Sequence, residues 1–465
     1  MALLVIKNQA TIAGINHVQE QAIKEKLTLV NPKYSQMTSL GKKPYGISHD
    51  LFFYEQHTSS ISIPVGFVPT LIDLIGLQAE DIIDDRFNAP PLHGWSFVGK
   101  LLPYQAKAVT AMEDKTIGVV QAPTGSGKTV MIINHITRRK QPTLVMVNTI
   151  ELANQMIDNL VKFTNKTKDD IGFIGSGIWK VRGVTVAILQ TMSRLSTSKY
   201  RFLNNSFGQV IVDECHIVPA LTFYNVIKNL NAKHKFGFSA TPEREDGLTA
   251  VIHWATGPKI HELSLKDVKD KIVIPTVRKV NTEYYFPLWN SDEYAIMVGD
   301  LIKDGKRNKL ILDTILEYKG KQMVVLTTRI EHVLFLTEQL NKRKLTAEYL
   351  VSRLPHPTDF GKYTAMPKKR RSEVIDNLNS GKTRIIVSTF SLFSTGIDVK
   401  GLEVLFLAGP TRSEIKLKQS IGRIMRKTVA KKTPEIVDFR DVNVDLLKSQ
   451  GYRRNQIYKY LKNME

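Results

Sequence analysis

The chain has 465 residues, a formal net charge of +21, one cysteine and 42% hydrophobic residues. This length suffices for about three domains, and the hydrophobic content argues against wholesale disorder. A lone cysteine, Cys215, excludes an internal disulfide or a cysteine-ligated cluster, which fits a reducing, intracellular compartment. No apolar run reaches the roughly 18 residues of a membrane span, and we interpret the apolar residues 3–6 as a strand, not a signal peptide.

The positive charge is concentrated in the last third of the chain. Residues 301–465 contain 33 Lys and Arg against 17 Asp and Glu, whereas the first 300 residues contain 32 against 27. A polyanionic partner, most simply nucleic acid, explains this asymmetry better than a generally basic composition does.

Residues 1–95 carry no nucleotide chemistry and are predicted to form an accessory α+β domain. A helix is expected at residues 18–27, and a loop rich in Pro and Gly at residues 88–94 marks the boundary. Aromatic and basic residues between 42 and 54 indicate either a DNA-binding surface or, as the favoured interpretation, the core of this small domain.

The strongest local signal is a small-residue loop between an apolar run and a helix, Ala122-Pro123-Thr124-Gly125-Ser126-Gly127-Lys128-Thr129. Glycines let backbone N–H groups close round a phosphate, and the following helix adds its positive dipole end. Lys128 can reach the β- and γ-phosphates, and Thr129 offers a hydroxyl to Mg²⁺. Ala122 replaces the first glycine of the usual phosphate-loop pattern, but a small residue keeps the turn possible. The loop predicts a site for ATP or GTP.

From residue 97 apolar strands alternate with helices, which indicates a parallel sheet covered on both faces. The strands are expected at residues 117–120, 143–147, 184–189, 210–212 and 235–238. Asp213 and Glu214 follow the fourth strand, at the edge where ligands bind in such sheets. One carboxylate there can hold Mg²⁺, and the other can activate a water for hydrolysis of the γ-phosphate.

The alternation loosens around residues 281–292 and then resumes, which predicts a second parallel-sheet domain. We therefore place the first such domain at residues 96–285 and the second at 286–465. Strands are expected at residues 323–326, 384–387 and 404–407, and helices at 330–340 and 413–425. Gln419, Arg423 and Arg426 recur at helical spacing and so share one helix face.

Taken in chain order, the phosphate loop, the acidic pair and the basic helix face resemble the motifs of the superfamily 2 helicases and translocases in their DExH form. The resemblance covers about residues 97–430. The resemblance implies an α/β fold of two tandem RecA-like domains, with ATP contacting both, so that ATP binding closes a cleft and hydrolysis opens it. The chain is most similar to the RecG, UvsW and XPB-like branch. That similarity implies an enzyme that remodels branched or forked DNA by branch migration, fork regression or unwinding of short duplexes. We expect it in the cytoplasm (the host cytoplasm if phage-encoded), and its oligomeric state, with a monomer as one option, stays open. Replication, recombination or repair would be the setting.

The resemblance also implies roles for single residues. Gln105 matches the adenine-reading glutamine, although Leu102 stands where the family often has arginine. The residues implied to be catalytic are Lys128, Asp213, Glu214, Arg423 and Arg426, and the Mg²⁺ ligands are Thr129 and Asp213. Further nucleotide contacts are implied for Gly396 and Asp398. The residues implied to couple the nucleotide to domain closure are His216, Ser239, Thr241 and Gln419. The nucleic-acid contacts implied are Thr149, Gln190, Thr191, Thr327, Arg329 and Thr389.

Residues 352–371 depart from the family pattern, because an aromatic and basic segment stands where the family turns quickly into a helix. Phe360 and Tyr363 in this segment indicate either a base-stacking surface or a long solvated loop. Two other functions stay open: an RNA helicase or annealing factor, and an ATP-gated nucleic-acid-binding module without motor action.

Overall fold

The computed structural model describes residues 2–39, 41, 43–216, 220–240, 246–287, 293–356, 362–394, 399, 401–427 and 433–462. Four residues with predicted roles lie outside these ranges: Thr241, Phe360, Gly396 and Asp398. The chain divides into two compact units, Met1–Asp267 and Val268–Glu465. The division between Asp267 and Val268 differs from the predicted domain limits after residues 95 and 285, and the strand pairing described below explains the difference.

The first unit begins with a small mixed sheet. Its elements are β1 (Leu3–Ile6), β2 (Ala10–Ala13), α1 (His17–Lys26), β3 (Thr28–Val30), α2 (Pro32–Ser39), β4 (Asp50–Phe52), β5 (Glu55–Gln56), β6 (Ser60–Ile63), α3 (Val68–Ile75) and β7 (Ile82–Asp84). The strand order is β5-β6-β2-β1-β7, and β3 pairs with β4 separately. Helix α1 begins where it does because Asn16 and Gln19 satisfy each other's backbone N–H groups through their side chains.

The elements of the first parallel sheet follow. They are α4 (Pro103–Glu113), β8 (Ile117–Gln121), α5 (Lys128–Arg139), β9 (Thr143–Val147), α6 (Ile150–Phe163), β10 (Ile171–Gly175), β11 (Ile178–Lys180), β12 (Val184–Ile188), α7 (Leu189–Met192), α8 (Thr197–Asn204), β13 (Gln209–Asp213), α9 (Ala220–Ile227), β14 (His234–Ser239), α10 (Thr249–Thr256) and β15 (Lys259–Glu262). The strand order is β11-β10-β12-β9-β13-β14-β8-β15, and only β11 runs antiparallel to its neighbour among these strands.

This sheet is covered on both faces, as its continuous apolar strands predict. Along β9, Val145 and Val147 face one hydrophobic core, and Leu144 and Met146 face the other. The first core also contains residues of α4, α5 and α6, and the second contains residues of α9 and α10. The expectation of an α/β fold with parallel sheets is confirmed.

The small N-terminal sheet shares the second of these cores instead of having one of its own. Phe53 packs against Tyr224 at a ring-centroid distance of 5.2 Å and against Trp254 at 5.1 Å. Gly66 approaches α10 so closely that a Cβ there would lie 2.0 Å from the carbonyl oxygen of His253. Residues 1–95 therefore have their own sheet, as predicted, but are not a separate compact unit.

The second unit contains another parallel sheet. Its elements are β16 (Thr276–Thr282), α11 (Tyr294–Leu301), α12 (Gly305–Leu316), β17 (Met323–Thr327), α13 (Ile330–Lys342), β18 (Ala347–Leu350), β19 (Arg353–Pro355), β20 (Tyr363–Ala365), α14 (Lys368–Asn379), β21 (Ile385–Thr389), α15 (Phe390–Ser394), β22 (Val404–Leu407), α16 (Glu414–Ile424), β23 (Glu435–Asp441) and α17 (Asp445–Lys462). The strand order is β16-β23-β22-β17-β21-β18, and β19 pairs with β20 as a separate hairpin.

The predicted boundary at residues 285 and 286 is corrected by β16. This strand pairs with β23 along its whole length, so the second unit begins at Val268. Sequence reasoning missed β16 because its residues are mostly exposed or half-buried and do not form an apolar run. None of the helices in the described part of the chain has the length and apolar character that crossing a membrane requires.

Candidate active site

Three polar motifs meet at the carboxyl edge of the first parallel sheet. Strands β13, β14 and β8 are neighbours, and they are followed by Glu214, by Ala240 and by the loop that starts at Ala122. The backbone N–H of Ala122 donates to the carbonyl of Ser239 at 2.8 Å, which extends the pairing of β8 and β14 into the loop. The motifs that the sequence separates by up to about 120 residues are therefore adjacent.

The phosphate loop is braced by Gln105 of α4. The Gln105 amide donates through Nε2 to the carbonyl of Ser126 at 2.9 Å, and its Oε1 accepts from the N–H of Leu102 at 2.9 Å. Gly127 has a φ of 85°, and a Cβ there would lie 2.4 Å from Gln105 Nε2, so glycine is required on both counts. Gln105 thus holds the loop in place, and its reading of adenine stays a prediction.

Lys128 opens α5 and points its ammonium group at the loop and at Glu214. Its Nζ donates to the carbonyl of Ala122 at 3.2 Å and lies 2.9 Å from Glu214 Oε1. The residue is only 8% exposed. The Lys128 ammonium group, which the sequence predicts to bind a phosphate, is therefore balanced here by the buried carboxylate of Glu214.

Asp213 and Glu214 have opposite pKa shifts although they are consecutive. Burial, and then the negative charge of Glu214, raise the pKa of Asp213 to about 7. Burial also acts to raise the pKa of Glu214, but the charges of Lys128 and His216 outweigh it and lower that pKa. Two carboxyls whose environments separate their pKa values are suited to different tasks in one site.

The backbone of Glu214 is in the left-handed region, with a φ of 52°. For a residue other than glycine this conformation costs on the order of 1–3 kcal/mol and persists only where neighbours hold it. Asn148 Nδ2 donates to the Glu214 carbonyl at 3.4 Å, and the next N–H, of Cys215, donates to the carbonyl of Phe238 at 3.0 Å. The role of Asn148 was not predicted, although its place directly after β9 at this edge could have indicated it.

Two of the predicted coupling residues are in direct contact. The hydroxyl of Ser239 and Nδ1 of His216 are 2.6 Å apart, and the same Nδ1 lies 3.5 Å from Glu214 Oε2. His216 is 4% exposed. Ser239 and His216 therefore connect the end of β14 to the ionised carboxylate of Glu214.

The donor set fits a hard divalent cation such as Mg²⁺. Asp213 Oδ1 is buried without a hydrogen-bond partner in the described part of the chain, so it is an acceptor that a cation would satisfy. Thr129 contributes a hydroxyl from the first turn of α5. Among the described residues no cluster of three His, Cys, Asp or Glu could hold a metal.

The nucleic-acid residues predicted in the first unit lie at the same sheet edge. Thr149 follows β9 and caps α6, accepting from the N–H of Leu152 at 3.2 Å. Gln190 and Thr191 lie in α7 directly after β12, the neighbour of β9, and Gln190 is exposed. Their contact with nucleic acid stays a prediction.

In the second unit, Thr327 is a correction. Its side chain is fully buried and its Oγ1 lies 2.7 Å from His332 Nδ1, so it cannot contact nucleic acid in this arrangement. Arg329 and Thr389 are half-buried at the same edge, where Arg329 Nη2 donates to the carbonyl of Ala295 at 3.3 Å.

Tyr363 lies in β20, so part of the segment predicted as a long loop or a stacking surface is a hairpin. Its hydroxyl donates to Glu331 Oε1 at 3.1 Å, and the Arg353 guanidinium lies 4.6 Å from the ring centroid. The hydroxyl of Tyr363 is therefore engaged within its own unit, and the contact of its ring with nucleic acid stays a prediction.

Gln419 and Arg423 lie in α16 and are 7% and 8% exposed. Arg423 Nη2 donates to the carbonyl of Ser394 at 2.9 Å, and its guanidinium lies 5.9 Å from the ring centroid of Phe393. Helix α16 ends at Ile424, so Arg426 lies just beyond it and not on the helical face that the spacing predicted. The roles of these residues on the γ-phosphate stay predictions.

The chain matches known families over both units. Residues 99–244 match the family described as "Type III restriction enzyme, res subunit", and residues 306–428 match the "Helicase conserved C-terminal domain". The chain is 28% identical over 469 residues to the putative ATP-dependent RNA helicase L396 of Acanthamoeba polyphaga mimivirus, across 96% of this chain and 83% of that protein. It is 26% identical over 399 residues to the DNA 3'-5' helicase XPB of Kineococcus radiotolerans, across 81% of this chain and 68% of that protein.

Among solved structures, the chain is similar to a fragment of a putative HsdR subunit of a type I restriction enzyme from Vibrio vulnificus. The TM-score is 0.54 and the identity 18%, over 80% of this chain and 68% of that one. This likeness is one of fold.

Proposed function

From the premise that the chain is a superfamily 2 helicase related to the XPB helicases, an ATP-driven enzyme that acts on nucleic acid, we propose that its substrate is branched or forked DNA. The expectation of a superfamily 2 helicase is confirmed, and the branched substrate goes beyond it. The net charge of +21 supports a polyanionic partner, and a relative that is named as a DNA helicase supports DNA.

The observation that carries the ATPase mechanism is the ion pair between Lys128 and Glu214. We infer that Lys128 transfers its charge from Glu214 to the β- and γ-phosphate oxygens when ATP binds. Because Lys128 is the largest influence that lowers the pKa of Glu214, its departure raises that pKa. A more basic carboxylate is a better general base for the attacking water, so substrate binding itself would activate Glu214.

Asp213 and Thr129 would hold Mg²⁺, which when bound offsets the negative charge on the transferring phosphoryl group. Asp213 must lose its proton to serve as a ligand, and its pKa of about 7 places that loss near neutral pH. Its buried Oδ1 accepts nothing from the described residues, so no protein contact has to break first.

We propose that the contact between Ser239 and His216 senses this change at Glu214. His216 Nδ1 lies 2.6 Å from the Ser239 hydroxyl and 3.5 Å from Glu214 Oε2, so it is shared by both groups. When Glu214 loses Lys128, the charge of His216 becomes the largest remaining influence that lowers the pKa of Glu214. Movement of His216 then displaces Ser239 at the end of β14.

Nucleic acid would follow the carboxyl edges of the sheets, along Thr149, Gln190 and Thr191 in the first unit and along Arg329 and Thr389 in the second. Thr327 is removed from this set because it is buried. Contacts of this kind are made mostly with phosphates, so they give affinity without reading sequence.

A second candidate is an RNA helicase, because the mimivirus protein that matches 96% of this chain is named as one. The deciding measurement is the rate of ATP hydrolysis with forked DNA, blunt duplex DNA, single-stranded DNA and RNA at one salt concentration. We expect the greatest stimulation with forked DNA, and greatest stimulation with RNA would overturn the proposal.

Strand-displacement assays complete the test, since they separate a motor from an ATP-gated binding module. We expect displacement to require ATP and to be lost in Lys128→Ala. If Lys128→Ala still displaced strands with ATP, the mechanism built on Lys128 would be wrong.

A further inference from the structure

A β-hairpin extends the first parallel sheet beyond the residues with predicted roles. Strands β10 and β11 are joined by Ser176 and Gly177, whose φ angles of 50° and 84° are typical of a tight two-residue hairpin turn. Because β10 runs parallel to β12, this turn lies at the same sheet edge as α7, with Gln190 and Thr191. Two strand spacings separate β11 from β12, which is roughly 10 Å.

Strand β11 and the facing helix α8 expose a cluster of two aromatic side chains. Trp179 is 37% exposed and Phe202 51%, whereas Ile178, which precedes Trp179 in the strand, belongs to the opposite face of the sheet. The ring centroids of Trp179 and Phe202 are 6.4 Å apart, and Lys199 Nζ lies 4.7 Å from the ring centroid of Trp179. Single exposed apolar residues are common, but a contiguous group at the rim of a site is typical of an interaction surface.

The chain segment that forms this cluster is mostly basic. Between Asp170 and Asp213 the chain has no Asp or Glu, and it has five basic residues: Lys180, Arg182, Arg194, Lys199 and Arg201. Lys180 lies 3.7 Å from the exposed carboxylate of Asp169, so that one cation is balanced. A surface that combines aromatic rings with an excess of cations is complementary to an anionic partner with flat, stackable groups, which describes nucleic acid with unpaired bases.

The cluster is joined to the predicted nucleic-acid edge by a direct contact. The hydroxyl of Tyr200 in α8 donates to the carbonyl of Met192 in α7 at 2.8 Å. Helix α8 therefore holds a fixed position relative to Gln190 and Thr191. Phe202 lies on a different face of α8 from Tyr200, but the turn between β10 and β11 places Trp179 at the same sheet edge as α7. A strand that passes along α7 and this turn would bring its next bases to Trp179 and Phe202.

We propose that Trp179 and Phe202 form a stacking platform for unpaired bases at the point where a duplex opens, with Lys199 and Arg201 neutralising the adjoining phosphates. This platform rests on the proposed function, since it needs a nucleic-acid strand along α7. It adds a contact with the bases to contacts that otherwise involve phosphates.

The test measures binding to a fork with a 2-aminopurine at its first unpaired position, to single-stranded DNA and to a blunt duplex. For Trp179→Ala combined with Phe202→Ala we expect about 5- to 150-fold weaker binding to the fork and the single strand for each base that loses its stacking partner. Binding to the blunt duplex should change less than about twofold, because phosphate contacts carry it. The stacking-induced quenching of 2-aminopurine should be lost in the same variant.

Two controls separate stacking from general damage. Trp179→Phe keeps an aromatic face and should retain most of the fork affinity, and Phe335→Ala removes an aromatic ring of similar exposure, 38%, from α13 in the second unit. Thermal unfolding midpoints show whether each variant is folded, and the single substitutions replace the double one if it is not.

The outcomes distinguish the platform from the proposed function. Equal losses on fork and blunt duplex, or fork affinity as in the unaltered protein, would overturn the platform while leaving the ATPase series intact. If no nucleic acid stimulates ATP hydrolysis by the unaltered protein, the proposed function fails, and the platform fails with it.

Discussion

The two units each bury a cluster of charged side chains beside a parallel sheet, but the clusters differ in how their charges are balanced. In the second unit, Asp438 Oδ2 accepts from Arg440 Nε at 2.5 Å and from the Tyr458 hydroxyl at 3.0 Å, and Arg454 Nε lies 3.0 Å from its Oδ1. Arg440 further donates to the carbonyl of Gly451 at 2.6 Å. Each charge there has an opposite charge or an acceptor.

The cluster of the first unit has two carboxyls and one lysine. Asp213 Oδ1 is left without a partner among the described residues, Glu214 has a strained backbone, and Asp213 has a pKa of about 7. The difference teaches that burial alone does not identify a functional charge. A strained backbone and separated pKa values together do.

The comparison predicts that removing Glu214 affects catalysis and not folding. For Glu214→Gln we expect kcat for ATP hydrolysis to fall by about 10²- to 10⁴-fold, because the general base is lost. Binding of a fluorescent ATP analogue should persist, since Lys128 and the loop remain. Glu113→Gln, an exposed residue at the end of α4, is the control in the same steady-state assay. A kcat unchanged in Glu214→Gln would contradict the assignment.

Removing Asp438 should have the reverse effect, on folding. Asp438→Ala leaves Arg440 and Arg454 buried with their main acceptor gone, and we expect about 3–5 kcal/mol lower free energy of unfolding. Urea denaturation followed by circular dichroism measures this loss. Glu317→Ala breaks a pair with Arg278 in which both side chains are at least 40% exposed, and it should cost at most about 1 kcal/mol. If both variants lost the same free energy of unfolding, the buried cluster around Asp438 would contribute no more to stability than the surface pair.

Lys235 in β14 is a third kind of buried charge, which lies outside both clusters. It is 1% exposed beside Tyr224 and Lys228, and burial, then Arg86, lower its pKa to about 7. Because the folded state binds this proton less readily than the unfolded state, the free energy of unfolding should rise as the pH climbs from about 7 to 10.

Lys235→Met should abolish that dependence. The stability advantage of the variant is largest at pH 7 and shrinks by up to about 1.4 kcal/mol per pH unit towards pH 10. Urea denaturation at three pH values measures it, with Lys233→Met, a more exposed neighbour, as the control. A constant difference between variant and unaltered protein across this range would show that Lys235 keeps an ordinary pKa.

The smallest effect is expected for Thr327. Thr327→Val removes its contact with His332 and should lower the free energy of unfolding by about 1 kcal/mol without changing affinity for DNA. Arg329→Ala, two residues further on and half-buried, should weaken DNA binding at low salt. Filter-binding titrations compare the two, and weaker DNA binding in Thr327→Val would restore the original prediction.

The sequence predicted best where strands are continuous apolar runs. The strand at residues 143–147 was placed without error, because all five of its residues are buried and four of them form an apolar run. Edge strands were missed for the opposite reason. Strands β16 and β11 leave most of their side chains exposed or half-buried, so their pattern resembles that of a loop.

In the site, residue types were predictable and their contacts were not. The phosphate loop and the acidic pair follow from spacing and strand ends, but spacing cannot show that Lys128 pairs with Glu214. Thr327 illustrates the same limit, since it ends a strand as predicted but turns its hydroxyl towards His332 in the core. Distances between segments far apart in sequence depend on packing, which no local pattern contains.

The core shared by the N-terminal sheet and helices α9 and α10 limits which domains could replace residues 1–95. Phe53, Tyr224 and Trp254 form one packed group, and Gly66 leaves no room for a side chain against α10. Exchange of residues 1–95 for a foreign domain would leave two aromatic rings, Tyr224 and Trp254, without the side chain they pack against. The N-terminal sheet and the ATPase domain therefore depend on one core, and a change of side-chain size on one side of it would need a compensating change on the other.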